Sequence, residues 1–248
     1  MKIVVSKDYL THKEFIETIA AQIEQIKGSA LYHGRNELWR LEHENTTFVV
    51  KRFKRADKQQ QVIYTYFRST KAARAFLLAE EFRRRGVSTP HEVAYIEQSE
   101  NGLFTNGYFI SEEVKGRCVF LDLITHGTIN ELLSDAVIRF IVHAHSKGVL
   151  HGDLNMANIL YEQLADGSFS FNMVDINSSF CTEGWPSDEL CLRNIIRMTP
   201  NQVLFEYLVR RYSVQRGWDT EEALREVLFL LHQSKSRRKN YHTSRIEE

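Results

Sequence analysis

The sequence predicts an α+β chain of two lobes, an antiparallel sheet with one main helix followed by a mostly helical second half. Three observations predict it. From Ser29 to Phe53 the hydrophobic period is that of strands, and a second strand pair reads at 91–97 and 107–114 around Asn101-Gly102. Between them Ala72, Ala75, Phe76, Ala79 and Phe82 recur at helical spacing. Beyond residue 114 apolar residues follow the helical period in segments near 128–147, 187–198, 201–212 and 220–232, interrupted by one hairpin. The boundary is set accordingly, residues 1–113 forming the first lobe and 114–248 the second.

Composition bounds the function classes. With 248 residues and 43% hydrophobic content the chain buries a sizeable core. Thirty-two basic residues balance 32 acidic ones, so no global excess of charge argues for nucleic acid, which is not expected as a partner. Cys118, Cys181 and Cys191 form neither a close ligand pair nor an even disulfide framework, and a reducing compartment suits them. No apolar run approaches the roughly 20 residues that span a bilayer, and the N-terminus lacks a signal-peptide pattern. The expected location is cytoplasmic, with peripheral membrane association still open.

Residues 2–5 read as a strand. Thr11 and Glu14 form a capping box for a helix whose Ile16, Ile19, Ile23 and Ile26 share one face and which Lys27-Gly28 ends. Strands follow around Leu31, Leu38–Leu41 and Thr47–Phe53, with Gly34-Arg35-Asn36 at the first turn. Gly34 offers backbone amides to phosphates, although a plain hairpin turn fits the same residues. Alternation in Phe48-Val49-Val50-Lys51-Arg52-Phe53 places Val49, Lys51 and Phe53 on one face. Residues 54–68 read as a polar, basic connector. The helix from Lys71 to Arg85 is capped by Ser69 or Thr70, and Gly86 closes it.

The second strand pair runs into Glu112-Glu113-Val114-Lys115-Gly116, which reads as a hinge where backbone groups of Glu112 to Val114 are placed to hold adenine. A helix from about Thr128 to Lys147 then leads to His151-Gly-Asp-Leu-Asn-Met-Ala-Asn-Ile-Leu-Tyr161. Asp153 and Asn158 lie five positions apart in a loop, and the turn at Asp166-Gly167 returns the chain through a strand to Val174-Asp175. His143 and His145, two apart, fall on different sides of a helix, so no zinc site is expected.

Phosphoryl transfer explains why these types stand at this spacing. It needs one carboxylate to take or orient the acceptor hydroxyl, and oxygen ligands to hold magnesium on the phosphates. Asp153 fits the first role, and Asn158 and Asp175 the second. Lys51, inside its strand, takes the place of the phosphate-pairing lysine, where an edge-strand solubility role is the competing reading. That lysine needs a helix glutamate to hold it; Glu80, one turn beyond Phe76, is favoured over Glu81.

The stretches His151-Gly-Asp-Leu-Asn to Asn158-Ile-Leu-Tyr, Val174-Asp-Ile-Asn-Ser-Ser-Phe180, Lys71-Ala-Ala-Arg-Ala-Phe76 and Gly86-Val-Ser-Thr-Pro90 resemble the lipopolysaccharide kinase family of Kdo and heptose kinases, a branch of the protein-kinase-like fold. The resemblance covers roughly residues 30 to 200. It implies a bilobal protein-kinase-like fold and ATP- and Mg2+-dependent phosphorylation of a sugar hydroxyl in the lipopolysaccharide inner core. Carried over by position, Lys51 contacts the phosphates, Asp153 acts as base, and Asn158 and Asp175 bind magnesium. The acceptor is a sugar or glycolipid, drawn by basic residues such as Arg52, Arg55 and the C-terminal basic tail. Asp175-Ile-Asn177 is followed by Ser178-Ser179, where a basic residue is expected for the acceptor. The catalytic loop is also shared by aminoglycoside-type phosphotransferases and, more loosely, RIO-like protein kinases, and the reduced glycine loop suits a nucleotide-binding pseudokinase.

Overall fold

The computed structural model describes residues 1–22, 25, 29–33 and 36–243. They divide into two compact units, Met1–Val114 with Asp175–Ser178, and Lys115–Val174 with Ser179–Glu248.

The first unit contains β1 (Lys2–Val5), α1 (Lys13–Gln22), β2 (Ser29–His33), β3 (Glu37–His43), β4 (Thr46–Arg52), α2 (Lys58–Tyr66), α3 (Lys71–Arg84), β5 (Glu92–Glu100) and β6 (Leu103–Glu112). The strands form one six-stranded sheet in the order β1-β5-β6-β4-β3-β2, with every pair antiparallel. Side-chain alternation decides which helix each residue meets. Phe48 and Val50 on β4, with Tyr108 and Ile110 on β6, pack on Ile16, Ile19 and Ala20 of α1. From the opposite face Phe109 and Tyr95 join Phe53 against Ala72, Ala73, Ala75 and Phe76 of α3. The sheet is thus covered on both sides, and Lys51, in step with Phe53, lies on the α3 side with its ammonium 5.3 Å from the Phe53 ring.

In the first unit the structure differs from two local expectations. The N-terminal helix does not open on a Thr11–Glu14 box, because a 3-10 turn occupies Lys7–His12 and α1 begins at Lys13. The connector at 54–68 contains α2, whose start is set by a cap, Asp57 Oδ1 accepting from the Gln60 amide at 2.9 Å. None of its residues is buried, so it has no apolar stripe for a periodicity reading to find.

In the second unit β7 (Arg117–Cys118), α4 (Val119–Asp122), β8 (Ile124–Thr125) and β9 (Thr128–Ile129) lead into α5 (Glu131–Ser146). The predicted helix at 128 starts later because Thr128 and Ile129 pair with Thr125 and Ile124, after which the Asn130 side chain caps α5 through the Leu133 amide. Gly148, at φ +70°, turns the chain out of α5 into β10 (Val149–Leu150). The hairpin β11 (Ile159–Gln163) and β12 (Phe169–Met173) follows, with β7 pairing on the outer side of β11. After β13 (Phe180–Cys181), which pairs with β10, come α6 (Asp188–Ile195), α7 (Gln202–Arg216) and α8 (Thr220–Thr243). The last helix runs past the expected end near His232. Fully buried Leu133, Val137, Ile138 and Ile141 of α5 and Leu208, Val209 and Tyr212 of α7 belong to the core of this helical part, and a bidentate Arg211–Asp135 pair ties the two helices at its edge.

Candidate active site

The loop from His151 to Asn158 is held by hydrogen bonds at almost every residue. His151 is buried; its Nδ1 accepts from the Asp153 amide at 3.1 Å, so Nε2 carries the proton donated to the Val174 carbonyl at 2.9 Å. Leu154 and Met156 are inserted into the core, and the Met156 amide donates to the Met198 carbonyl at 2.9 Å. Asn155 Oδ1 accepts from the Ala157 amide at 2.7 Å, and Asn158 Nδ2 donates to the Asp153 carbonyl at 3.0 Å. With its amino group thus engaged, Asn158 presents its amide oxygen as the atom suited to a hard cation. The Val174 amide donates to the Asn158 carbonyl at 2.9 Å, so the β11–β12 hairpin sets Val174 opposite Asn158 and delivers the chain to Asp175.

Beneath this loop runs a chain of polar groups. Arg216 Nη1 donates to the Tyr212 hydroxyl at 3.0 Å, which donates to His145 Nδ1 at 2.7 Å. His145 Nε2 then donates to Asn194 Oδ1 at 3.0 Å, and Asn194 Nδ2 donates to the His151 carbonyl at 2.6 Å. The direction is fixed by Arg216, which has protons only to give. Burial, opposed by the bond to Asn194 and helped by the Arg216 charge, pushes the His145 imidazole down to about 4, so it stays neutral. Arg216 is itself packed against Trp185 and Trp218, 4.4 and 4.3 Å from their rings, and paired with Asp188.

In the first unit Lys51 Nζ lies 2.6 Å from Asp175 Oδ1, which also accepts from Asn177 Nδ2 at 2.9 Å. Asp175 adopts φ +58°; the other described non-glycine residues with positive φ, Glu44, Asn101 and His126, all stand at turns between paired strands. A left-handed aspartate outside such a turn is a strained placement that its partners must hold. The expected Lys51–Glu80 pair is not what the structure shows. Leu77, Glu80 and Arg84 share the exposed side of α3, because the buried stripe takes Ala72, Ala75, Phe76 and Ala79. Glu81 is engaged by Arg84 and Arg85, which hold its carboxyl well below the usual range.

Gly34 lies outside the described residues. Of the expected adenine contacts, the Glu112 amide is committed to the His91 carbonyl at 2.9 Å, while Val114 ends the first unit's main segment. Arg52 and Arg55, expected to draw an acidic acceptor, pair with Glu37 and Glu100.

Asp153 opens instead on a cavity of about 730 Å3 within the second unit, walled by Phe120, Phe205, Leu228 and Leu231 and carrying Arg197 and His232. Arg197 Nη1 stands 2.9 Å from Asp153 Oδ1. Sequence reasoning missed Arg197, Asn194 and Tyr212, and it gave Ser179 only as a departure from a basic residue, whereas its Oγ accepts from the Gly152 amide at 3.3 Å. Asn194 and Tyr212 meet their partners across 43 to 67 positions, and no local pattern marks such pairs.

Residues 21–199 match the family described as the lipopolysaccharide kinase (Kdo/WaaP) family. The chain belongs to that family. A 3-deoxy-D-manno-octulosonic acid kinase of Vibrio vulnificus (strain YJ016) is 25% identical over 173 residues, covering 67% of this chain and 70% of the relative. One from Vibrio cholerae serotype O1 is 24% identical over 191 residues, covering 69% and 77%. A solved structure described as WaaP in complex with acyl carrier protein shares the fold, with a TM-score of 0.61 and 16% identity over 97% of this chain and 99% of that one. This lipopolysaccharide kinase is therefore of bilobal protein-kinase-like fold, and its family implies ATP as phosphoryl donor. Among the described residues no helix of the kinase is long and apolar enough to cross a membrane.

Proposed function

We propose that this kinase transfers a phosphoryl group from ATP to a hydroxyl of a 3-deoxy-D-manno-octulosonic acid (Kdo) sugar, as its curated relatives are named for doing. The observation that carries the reading is Asp153, held by its loop with its carboxylate on a cavity large enough for a sugar.

In this reading Asp153 orients the acceptor hydroxyl and takes its proton as the hydroxyl oxygen bonds to phosphorus and ADP departs. Lys51 pairs with the phosphates. Asn158 and Asp175 supply oxygen ligands for Mg2+, and the donor set fits: an amide oxygen whose nitrogen is spent elsewhere, and a carboxylate already carrying a cation on Oδ1. The metal, when bound, neutralises charge on the transferring phosphates. Backbone groups of Glu112 and Val114 other than the Glu112 amide, which is bonded to His91, hold the adenine, and Gly34 is assigned to the phosphates. The kinase acts on its sugar acceptor at the cytoplasmic face of a membrane, with which it associates peripherally.

The test is turnover of Mg-ATP by the purified protein with no acceptor, with a Kdo-bearing lipid A precursor, and with a generic protein substrate. Stimulation by the glycolipid alone, lost in Asp153→Ala, supports the reading. Turnover stimulated by the protein substrate, or unchanged in Asp153→Ala, overturns it.

A further inference from the structure

We propose that Arg197 binds the acceptor's carboxylate in the cavity beside Asp153, and that without acceptor the same guanidinium occupies Asp153 and restrains it. The inference rests on the proposed function and adds the residue that selects an acidic sugar.

Arg197 stands in the segment between α6 and α7, and its neighbour Met198 is fully buried with its carbonyl bonded to the Met156 amide. The backbone carrying Arg197 is therefore tied to the catalytic loop, which keeps its guanidinium within reach of Asp153 while the exposed side chain can move. Side chains of Arg197 and Asp153 are 42% and 45% exposed. An ion pair this open to water holds weakly, so exchange of one carboxylate for another costs little. A guanidinium matches a carboxylate through two parallel N–H bonds, a fit that a neutral sugar lacks.

Exchange has a second consequence. While Nη1 sits at 2.9 Å from Asp153 Oδ1 it takes one acceptor position on that oxygen, and a hydroxyl approaching there competes with the guanidinium. A carboxylate that draws Arg197 away clears Oδ1, so the group that identifies the acceptor also frees the base. Phe120, Phe205, Leu228 and Leu231 give no competing charge. Substrate selection and release of Asp153 then depend on one side chain.

The test uses the full-length protein, its Arg197→Gln and Arg197→Lys variants, and two ligands: the methyl glycoside of Kdo and the same glycoside with its carboxyl group methylated. Calorimetric titration reads binding; phosphorylation of the Kdo-bearing lipid A precursor and acceptor-free ATP hydrolysis read turnover. The wild type is expected to bind the acid about 10- to 100-fold more tightly than the ester, the span of a charge-assisted hydrogen bond lost. Arg197→Gln loses that preference, shows a raised KM for the lipid acceptor, and hydrolyses ATP without acceptor several-fold faster than the wild type; Arg197→Lys keeps part of the preference. Failure of the wild type to bind the acid, or equal preference in wild type and Arg197→Gln, overturns the anchor, and unchanged acceptor-free hydrolysis overturns the restraint. If acid binding depends on Arg197 but neither sugar nor lipid is phosphorylated, the proposed function falls and the anchor stands.

Discussion

Lys51 Nζ meets Asp175 Oδ1 at 2.6 Å, an ammonium near the C-terminal end of β4 against an aspartate held at positive φ. The lysine side chain is only 13% exposed, so this carboxylate is the counter-charge that permits its burial. Nucleotide phosphates would offer the same ammonium a second partner.

Because the two groups act as a unit, their substitutions should not add. Lys51→Met and Asp175→Asn are each expected to lower kcat/KM by about 100-fold or more, the usual cost of an electrostatic contact to the reacting group. The double variant should be little worse than the poorer single one. Steady-state phosphorylation assays on the three variants check this, and fully multiplicative losses would show that the pair does not work together.

His145 makes stability depend on pH. Its folded pKa, about 4, lies below the ordinary 6.5, so the unfolded chain binds a proton that the folded protein refuses. The stability is complete above pH 6.5 and is lost as pH falls toward 4, by roughly 3 kcal/mol from this group, at 1.36 kcal/mol per unit. Denaturant midpoints at pH 7 and pH 4.5 should separate more in the wild type than in His145→Gln. Equal separations would remove the buried imidazole from the account.

Gly116 has a narrower constraint. Its φ is +138°, and a Cβ there would lie 2.8 Å from the Tyr161 carbonyl oxygen, a backbone atom that cannot swing aside. Gly116→Ala should cost roughly 2 kcal/mol or more, since strained backbone alone costs about 1–3. Gly86→Ala, where a Cβ meets nothing within 4 Å, should cost less. Thermal melts of the two variants give the comparison, and a milder effect at Gly116 would contradict the close approach.

Phe48 is fully buried between β4 and α1, whereas Phe67, just beyond α2, is 80% exposed. Phe48→Ala is expected to lose about 3–5 kcal/mol through lost transfer energy and an unfilled cavity. Phe67→Ala should stay within about 0.5 kcal/mol of the wild type. Urea unfolding of both checks the assignment of this face as core.

Some of the placements follow from periodicity and spacing. The alternation through Phe48–Phe53 put Lys51 on the same face as Phe53, and the two share that face in the structure. The Asp153–Asn158 loop and the Asp166-Gly167 turn were legible because loops and hairpins are written in residues next to one another. Helix α2 was not, since its evidence is a single cap with no buried stripe.

By itself, then, the sequence determined the two-part α+β order of elements, the family, and which short segments carry Asp153, Asn158, Asp175 and Lys51. Only the tertiary structure decided what these residues touch. Asp175 rather than Glu80 faces Lys51 because the apolar stripe of α3 turns Glu80 to solvent. Arg197 reaches Asp153, and Asn194 reaches the His151 carbonyl, because buried Met198 and the α6–α7 packing bring distant segments together. Hydrophobic periodicity is a property of neighbours along the chain, while the partner of a polar group is set by the packing of segments far apart in it.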